Sequence, residues 1–253
     1  MPETVSACVI IIGNEILSGR TREANLAYIA TALNEVGIRV LEARVVRDDA
    51  DAIVTAVNAC RAAYDYVLTT GGIGPTHDDI TAACIARAFG VPLRRDPSAV
   101  AALSTHYGNA GVNEARLKMA DVPEGAELIE NPVTSAPGFR LGNVFVLPGV
   151  PRIMQAMIDG LKLRLKGGEP VLSKTVSAYV TESGIAAALS ALQDRSPAVE
   201  IGSYPFARAG RFGTSLVMRS TDVAALDAVA TAVVALVRDA GVEPLIEDDT
   251  PAA

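Results

Sequence analysis

The sequence has no tryptophan, 4 % aromatic residues, three cysteines and two histidines among 253 residues, and each shortage excludes something. A core without large rings must be built from Ala, Val, Ile and Leu, which suits helices packed on a buried parallel sheet. Cys8, Cys60 and Cys84 are odd in number, far apart and set in apolar runs with no C-x-x-C spacing. They read as small buried hydrophobes in a reducing cytoplasm, and a zinc site is not expected. Positive charge is short as well: 22 Lys and Arg against 29 Asp and Glu leave a net charge of −7. Neither nucleic acid nor an anionic membrane is therefore the expected partner, unless a local basic patch departs from the total. Met1-Pro2-Glu3-Thr4 lacks the basic start of a signal peptide. The most apolar stretch, Val223 to Val237, is interrupted by Asp227 and falls short of the ~20 residues a membrane span needs. A soluble, cytoplasmic protein is the expectation.

What is present is a repeating strand-helix pattern. Val5 to Ile12 is a β-branched run of the kind buried on both faces of a sheet. Leu26, Ile29, Ala30 and Leu33 then fall at helical spacing before Gly37. Ile38 to Val46 reads as a second strand, Ile53, Val57, Cys60 and Tyr64 as the buried stripe of a helix opened by Asp48 and Asp49, and Tyr66 to Thr70 as a third strand. This order implies a parallel sheet with right-handed crossovers. A helix ending near Gly90 follows, and then a mostly helical stretch from Asp96 to Ala120 broken at Tyr107 to Gly111. Two strands flank the turn Gly142-Asn143, and Pro148 to Pro151 launches a helix to about Leu165. Lys166 to Pro170 is the expected linker. Beyond it the order βαββα, with a short last strand, suggests a small ferredoxin-like sandwich. In its final helix Leu226, Val229, Ala230, Val233, Val234 and Val237 form the apolar stripe, with Asp222 as N-cap. The expected division is residues 1–168 and 169–253.

The chemistry concentrates after the third strand, in Gly71-Gly72-Ile73-Gly74-Pro75-Thr76-His77-Asp78-Asp79-Ile80-Thr81. Glycines between a buried strand and a helix start let backbone N–H groups approach an anion, most simply a phosphate, or else serve only as a tight turn. No Lys-Ser/Thr pair follows and no G-x-G-x-x-G is present, so neither a Walker A loop nor a dinucleotide fingerprint applies. Asp78 and Asp79 could hold a hydrated divalent ion beside the phosphate. Equally, Thr76 to Asp79 has the T-x-x-D form of a capping box. Asp48 ends the second strand on the same edge and reads as a ligand or as a helix N-cap. Glu15 and Asn25, after the first strand, share that edge. His77 reads as a solvated loop side chain, and His106 has no visible partner. Arg208 and Arg211 read as a solvated hairpin tip rather than a phosphate contact. No G-x-S-x-G elbow supports serine-hydrolase chemistry.

Gly13-Asn14-Glu15-Ile16-Leu17-Ser18-Gly19, Asn25, the Gly71 to Thr81 loop, Asn131-Pro132 with Ala136 to Phe139, and Leu147-Pro148-Gly149-Val150-Pro151 resemble the N-terminal portion of the CinA proteins. These belong to the wider MoaB/Mog molybdopterin-binding superfamily. The resemblance implies a three-layer, mostly parallel α/β domain followed by the smaller ferredoxin-like one. It implies that Asp79 and Asp48 match aspartates serving metal-dependent chemistry on an adenylated pterin, which tilts Asp79 from cap toward ligand. It further implies hydrolysis of an ADP-ribose- or FAD-like pyrophosphate with a divalent metal, Mg²⁺, Mn²⁺ or Co²⁺. In this reading Asp79 and Asp48 are catalytic, with Asp78 also on the metal. Gly71, Gly72, Gly74, Thr76, Glu15, Asn25, Pro148 and Gly149 hold the ligand. The alternative is a binding or nucleotidyl-transferring protein that holds a molybdopterin or nucleotide phosphate in the same cradle. Position 14 is Asn where Thr or Asp is frequent, which leaves a third acidic ligand in doubt. No deamidase activity of the longer CinA proteins is expected. A homo-oligomer is the expected assembly.

Overall fold

The computed structural model describes residues 5–108 and 111–246. The chain divides between Glu169 and Pro170 into two compact units. In the first, β1 (Val5–Ile12) is followed by a single turn, α1 (Asn14–Leu17), then α2 (Asn25–Asn34), β2 (Ile38–Val46), α3 (Ala50–Ala63), β3 (Tyr66–Thr70) and α4 (Thr81–Phe89). β1 pairs in parallel with β2 on one side and β3 on the other, as the apolar runs predict. An excursion follows: β4 (Leu93–Arg95), α5 (Pro97–Tyr107), α6 (Glu114–Leu117), a 3₁₀ turn at Lys118–Ala120, and β5 (Asp121–Pro123), which closes a two-stranded sheet on β4. The chain then returns through β6 (Glu127–Ile129), β7 (Gly138–Leu141) and β8 (Val144–Leu147), and ends the unit with α7 (Pro151–Lys162). The main sheet has the order β2-β1-β3-β8-β7-β6, parallel as far as β8 and antiparallel after it.

The side-chain alternation of β1 explains the three layers. Ala7, Val9 and Ile11 pack with Ile29 and Leu33 of α2 and Met154, Met157 and Ile158 of α7. Cys8, Ile10 and Ile12 point the other way, onto Ile53, Val57 and Cys60 of α3 and Ile85 of α4. A strand covered on both faces reads as an unbroken apolar run because every position is buried. The three cysteines are buried and free, with the Cys8 and Cys60 sulfurs 3.2 Å apart. Burial pushes the Cys8 thiol up and the Cys84 thiol up to about 11.

Two expectations change in detail. The helix opened by the Asp48-Asp49 pair is capped by Asp49, whose carboxylate accepts from the Ala52 N–H at 2.9 Å, so Asp48 is not the cap. The expected linker does not stand apart. The Lys166 backbone N–H and carbonyl both bond the Tyr66 hydroxyl, and a Cβ on Gly167 would fall 1.6 Å from the Val36 carbonyl oxygen, so glycine there is a packing requirement. The strands β4, β5 and β6 carry no sequence signal because three residues are too few to show a period. The expected break at Tyr107 to Gly111 includes residues 109 and 110, which lie outside the described residues, as does Met1 to Thr4.

The second unit comprises β9 (Leu172–Ala178), α8 (Glu182–Arg195), β10 (Glu200–Arg208), β11 (Arg211–Ser220), α9 (Val223–Asp239) and β12 (Leu245–Ile246). Its sheet order β10-β11-β9-β12, antiparallel throughout, is the ferredoxin-like arrangement. Asp222 caps α9 through the Ala225 N–H at 3.0 Å, and Leu226, Val229, Val233 and Val237 are buried, while Ala230 and Val234 are half-buried at the edge of the stripe. Among the described residues no helix is long and apolar enough to cross a membrane.

Candidate functional site

Parallel pairing brings the C-terminal ends of β1, β2, β3 and β8 to one edge of the sheet, and the segments that follow them wall a cleft of about 590 Å³. It is lined by Glu15, Asp48, Gly71, Gly72, Gly74, Asp78, Asp79, Pro148 and Gly149. These come from four separate stretches of chain. Asn25 and Thr76 stand behind the lining: the Asn25 side-chain amide donates to the Gly149 carbonyl at 2.9 Å, and Thr76 holds the two aspartates.

The glycines do different work. Gly71 and Gly72 have φ of +102° and +68°, a region that side chains enter only with strain. A Cβ on Gly71 would lie 2.2 Å from the Ile12 carbonyl oxygen, and one on Gly72 2.2 Å from the Thr81 hydroxyl. That hydroxyl donates to the Gly71 carbonyl at 2.9 Å and the Thr81 N–H donates to the Gly72 carbonyl at 2.9 Å, pinning the loop at both ends. Gly74 is needed for space alone, because a Cβ there would sit 2.7 Å from the Asp79 carboxylate. Among the described residues, the N–H groups of Gly72, Ile73 and Gly74 make no hydrogen bond within the chain, and neither do those of Gly149 and Val150. Gly72, Ile73 and Gly74 are half-buried, so their unpartnered N–H groups carry a cost that an anion at the cleft would remove, whereas Gly149 and Val150 are exposed.

The capping-box expectation at Thr76 to Asp79 fails. Helix α4 begins only at Thr81, after Ile80, with no side-chain cap. The Thr76 N–H donates to Asp79 Oδ2 at 2.8 Å, and the Thr76 hydroxyl shares its proton between Asp79 Oδ2 at 2.6 Å and Asp78 Oδ1 at 2.5 Å. Both carboxylates are therefore organised by a turn in the loop rather than consumed by the helix. The Thr76 hydroxyl holds the Asp78 carboxyl below the ordinary aspartate range, with His77 and Lys118 adding to the effect. Lys118, from the 3₁₀ turn, donates its ammonium to the Thr76 carbonyl and so braces the same turn from outside. Asp48 accepts the Asn14 N–H at 2.7 Å, which draws the β1 and β2 ends together at the cleft. His77 is exposed, 3.9 Å from Asp78, and His106 stacks edge-on against Tyr107.

The donor set is all oxygen, as Mg²⁺ or Mn²⁺ prefers. Among the described residues no three His, Cys, Asp or Glu side chains converge closely enough to hold an ion by themselves. A divalent ion here would have to be held by one or two carboxylates and completed by ligand phosphate and water, as Mg²⁺ commonly is.

The lining also includes residues between Asn131 and Pro137, together with Tyr107 and Met119, to which sequence reasoning gave no role. Asn131 is buried, its amide donating to Thr134 and the Ala136 carbonyl while its carbonyl accepts two backbone N–H groups, so it freezes the turn that brings Thr134 to Pro137 to the cleft. The Asn-Pro dipeptide was the available signal. Tyr107 and Met119 arrive from the excursion and also line the cleft, with the Arg116 guanidinium 3.9 Å from the Tyr107 ring. No local pattern marks them, because only the fold returns that segment to the edge.

Residues 8–167 match a family model described as a probable molybdopterin binding domain, and residues 170–245 match one described as the middle domain of FAD synthase. A CinA-like protein of Syntrophus aciditrophicus is 37 % identical over 210 residues, covering 78 % of this chain and 50 % of its own length. A probable FAD synthase of Caenorhabditis elegans is 30 % identical over 259 residues, covering 91 % of this chain and again 50 % of its own. The chain thus spans about half the length of both. The crystal structure of a CinA protein of unknown function from Thermoplasma acidophilum is 40 % identical and superposes with a TM-score of 0.60, over 64 % of this chain and 99 % of that one. With nearly two thirds of its length in that first match, and with the parallel sheet and glycine-loop edge described above, the chain belongs to the molybdopterin-binding-domain family and is CinA-like.

Proposed function

We propose that the cleft of the first unit binds the diphosphate of an ADP-ribose- or FAD-like nucleoside diphosphate derivative together with a divalent cation and hydrolyses it. The observation that carries this reading is the mismatch of charge at the site. Five residues whose N–H groups make no hydrogen bond within the chain, Gly72, Ile73, Gly74, Gly149 and Val150, line the same cleft as Glu15, Asp48, Asp78 and Asp79, with no Lys or Arg among the lining residues. The N–H groups ask for an anion, while the carboxylates repel one unless a cation comes with it. Asp79, with Asp48 or Asp78, would hold the ion, which when bound supplies charge neutralisation and activation of water. The glycine loop orients the phosphate, Thr76 fixes the direction of Asp79, and Asn25 sets the Gly149 wall through its carbonyl. The cleft is much larger than a diphosphate needs, and Tyr107 among its lining residues suits a flat heterocycle. The names of the FAD synthase and CinA-like relatives favour a ligand of this class.

The test is product chromatography of ADP-ribose and FAD with Mg²⁺, Mn²⁺ or Co²⁺ at high protein concentration, beside calorimetric binding of the same ligands. The expected result is cleavage to two monophosphates, stopped by chelator. Tight binding with the ligand intact under every metal would replace this reading with the second one, a pterin or nucleotide held without turnover, which the description of the family model favours.

A further inference from the structure

Outside the cleft, the second unit carries a surface unlike the rest of the chain. Its helices α8 and α9 cover one face of the sheet, where Val176, Leu216 and Met218 are buried. Residues of the opposite parity make the open face. The register aligns Gly202, Tyr204, Phe206 and Arg208 of β10 with Val217, Ser215, Gly213 and Arg211 of β11. On an aromatic-poor protein this one face gathers Tyr204 and Phe206, and Tyr179 joins them by an edge-on contact with Phe206, ring centres 5.7 Å apart. Three of the six Lys and Arg residues of the unit are here too: Arg208, Arg211 and Arg219.

The rings lie down on the sheet. A Cβ on Gly202 would fall 2.8 Å from the Tyr204 ring, and one on Gly213 would fall 2.5 Å from the Phe206 ring, so each glycine is the floor beneath an aromatic plane. Tyr204 keeps 47 % of its surface exposed. Guanidinium groups stand around the planes: Arg211 is 3.8 Å from the centre of Tyr179, Arg208 is 5.1 Å from that of Phe206, and Arg219 donates to the Tyr204 hydroxyl at 3.2 Å. Among the described residues of β9, β10 and β11, Glu200, opposite Arg219 in the register, is the acidic one on this face. Tyr204 and Phe206, spaced about 6.8 Å along a strand, with Arg208 and Arg219 beside them and Arg211 stacked over Tyr179, suit a chain of stacked bases with phosphates between them. One mononucleotide would use one ring, whereas this face offers a row. Among the described residues, the register places Gly202, Gly213, Ser215 and Ser177 beside the rings, and the two serine hydroxyls bond each other at 2.8 Å, which leaves them unavailable for reading a base edge.

We propose that the open face of the β10-β11-β9 sheet binds single-stranded nucleic acid without strong sequence preference, by stacking bases on Tyr204 and Phe206, with the Arg211 guanidinium stacked on Tyr179 extending the platform, and by pairing phosphates with Arg208, Arg211 and Arg219. The net charge of −7 sets the expectation against nucleic acid for the chain as a whole, and this patch is the local departure that expectation allowed. Four-stranded sheets of ferredoxin-like topology are used in this way elsewhere, with aromatics on the open face.

The test uses the full chain in chelator, which silences a metal-dependent cleft, and follows the fluorescence anisotropy of labelled ten-nucleotide single strands at low salt. Binding should fall steeply with salt. Tyr204→Leu and Phe206→Leu should each weaken it about tenfold with the salt slope unchanged, while Tyr204→Phe, which keeps the ring, should bind nearly as the parent does. Arg211→Gln should lower the salt slope by about 0.7. The proposal is overturned if no single strand binds, if duplex binds equally well, or if the Leu variants bind as the parent does and lose only thermal stability. In that last case the rings serve merely to cover the sheet glycines. A concentration-dependent dimer broken by Arg211→Glu, without nucleic-acid binding, would assign the face to a second copy of the chain and overturn it as well.

Discussion

Two junctions on the same edge of the sheet join a parallel strand to a helix, and they treat a pair of adjacent aspartates in opposite ways. After β2 the chain needs three residues to reach α3, and Asp49 is consumed as the cap of that helix. Only Asp48 is left over for the cleft, and it goes to the Asn14 N–H. After β3 the chain takes ten residues, turns through two glycines of positive φ, and starts α4 with no side-chain cap. Both Asp78 and Asp79 are then free of the helix and held by Thr76. A short junction thus uses its carboxylate for folding, and a long one leaves its carboxylates free of the helix and available to the proposed ligand. The uncapped end of α4 and the open N–H groups of the loop are the local cost of that choice.

The sharpest way to break the comparison is at the turn itself. Gly71→Ala places a Cβ 2.2 Å from the Ile12 carbonyl at φ +102°, so strain and clash add. The first unit should lose about 3 kcal/mol or more. Arg47→Ala at the short junction should stay within about 0.5 kcal/mol, since its contact with Asp49 is an exposed ion pair. Urea unfolding followed by the first unit's signal checks both, and equal small losses would show that the long turn is not under constraint.

Next in size is the exchange of roles between the aspartates. Asp49→Ala should cost about 1 kcal/mol through the lost cap and leave metal-dependent turnover in place. Asp79→Asn should do the reverse, abolishing turnover while the melting temperature moves little, because no helix depends on it. If Asp79→Asn lowers the melting temperature and leaves turnover alone, the contrast between the junctions is wrong.

Much of this contrast can be read in the sequence, and the part that cannot has a physical reason. The apolar run of β1 is legible because both of its faces are buried, and the Gly71 to Thr81 motif because several close approaches demand glycine. Which aspartate of a pair caps a helix is not legible, since Asp48 and Asp49 differ by one residue and both have the right chemistry. The T-x-x-D spacing misleads at Thr76 for a related reason: the same hydrogen bond from a backbone N–H to an acid two or three residues on closes an isolated turn as readily as it opens a helix. Tyr107, Met119 and Asn131 reach the cleft through long-range return of the chain, which periodicity does not report.

The smallest expected effect concerns pH and separates the helices that follow the two junctions. Cys84 sits in α4, buried, and desolvation lifts its thiol to about 11. An unfolded thiol ionises near ~8.5. The folded value is the higher one, so the folded state keeps its proton after the unfolded state has lost it. Stability from this group is therefore complete below about pH 8.5 and declines as pH rises toward 11. Cys8, raised by burial and by the nearby Cys60, contributes in the same direction through the packing of α3 on β1. The urea midpoint of the first unit should thus fall between pH 7.5 and pH 10, while the second unit, whose sequence from Pro170 onward has no cysteine, should not share this cause. Cys84→Ala should flatten part of the decline and leave the remainder to Cys8. An unchanged slope in Cys84→Ala would mean that α4 opens to water before α3 does, so that its thiol titrates as an exposed one, and that the uncapped junction is looser than its hydrogen bonds to Thr81 suggest.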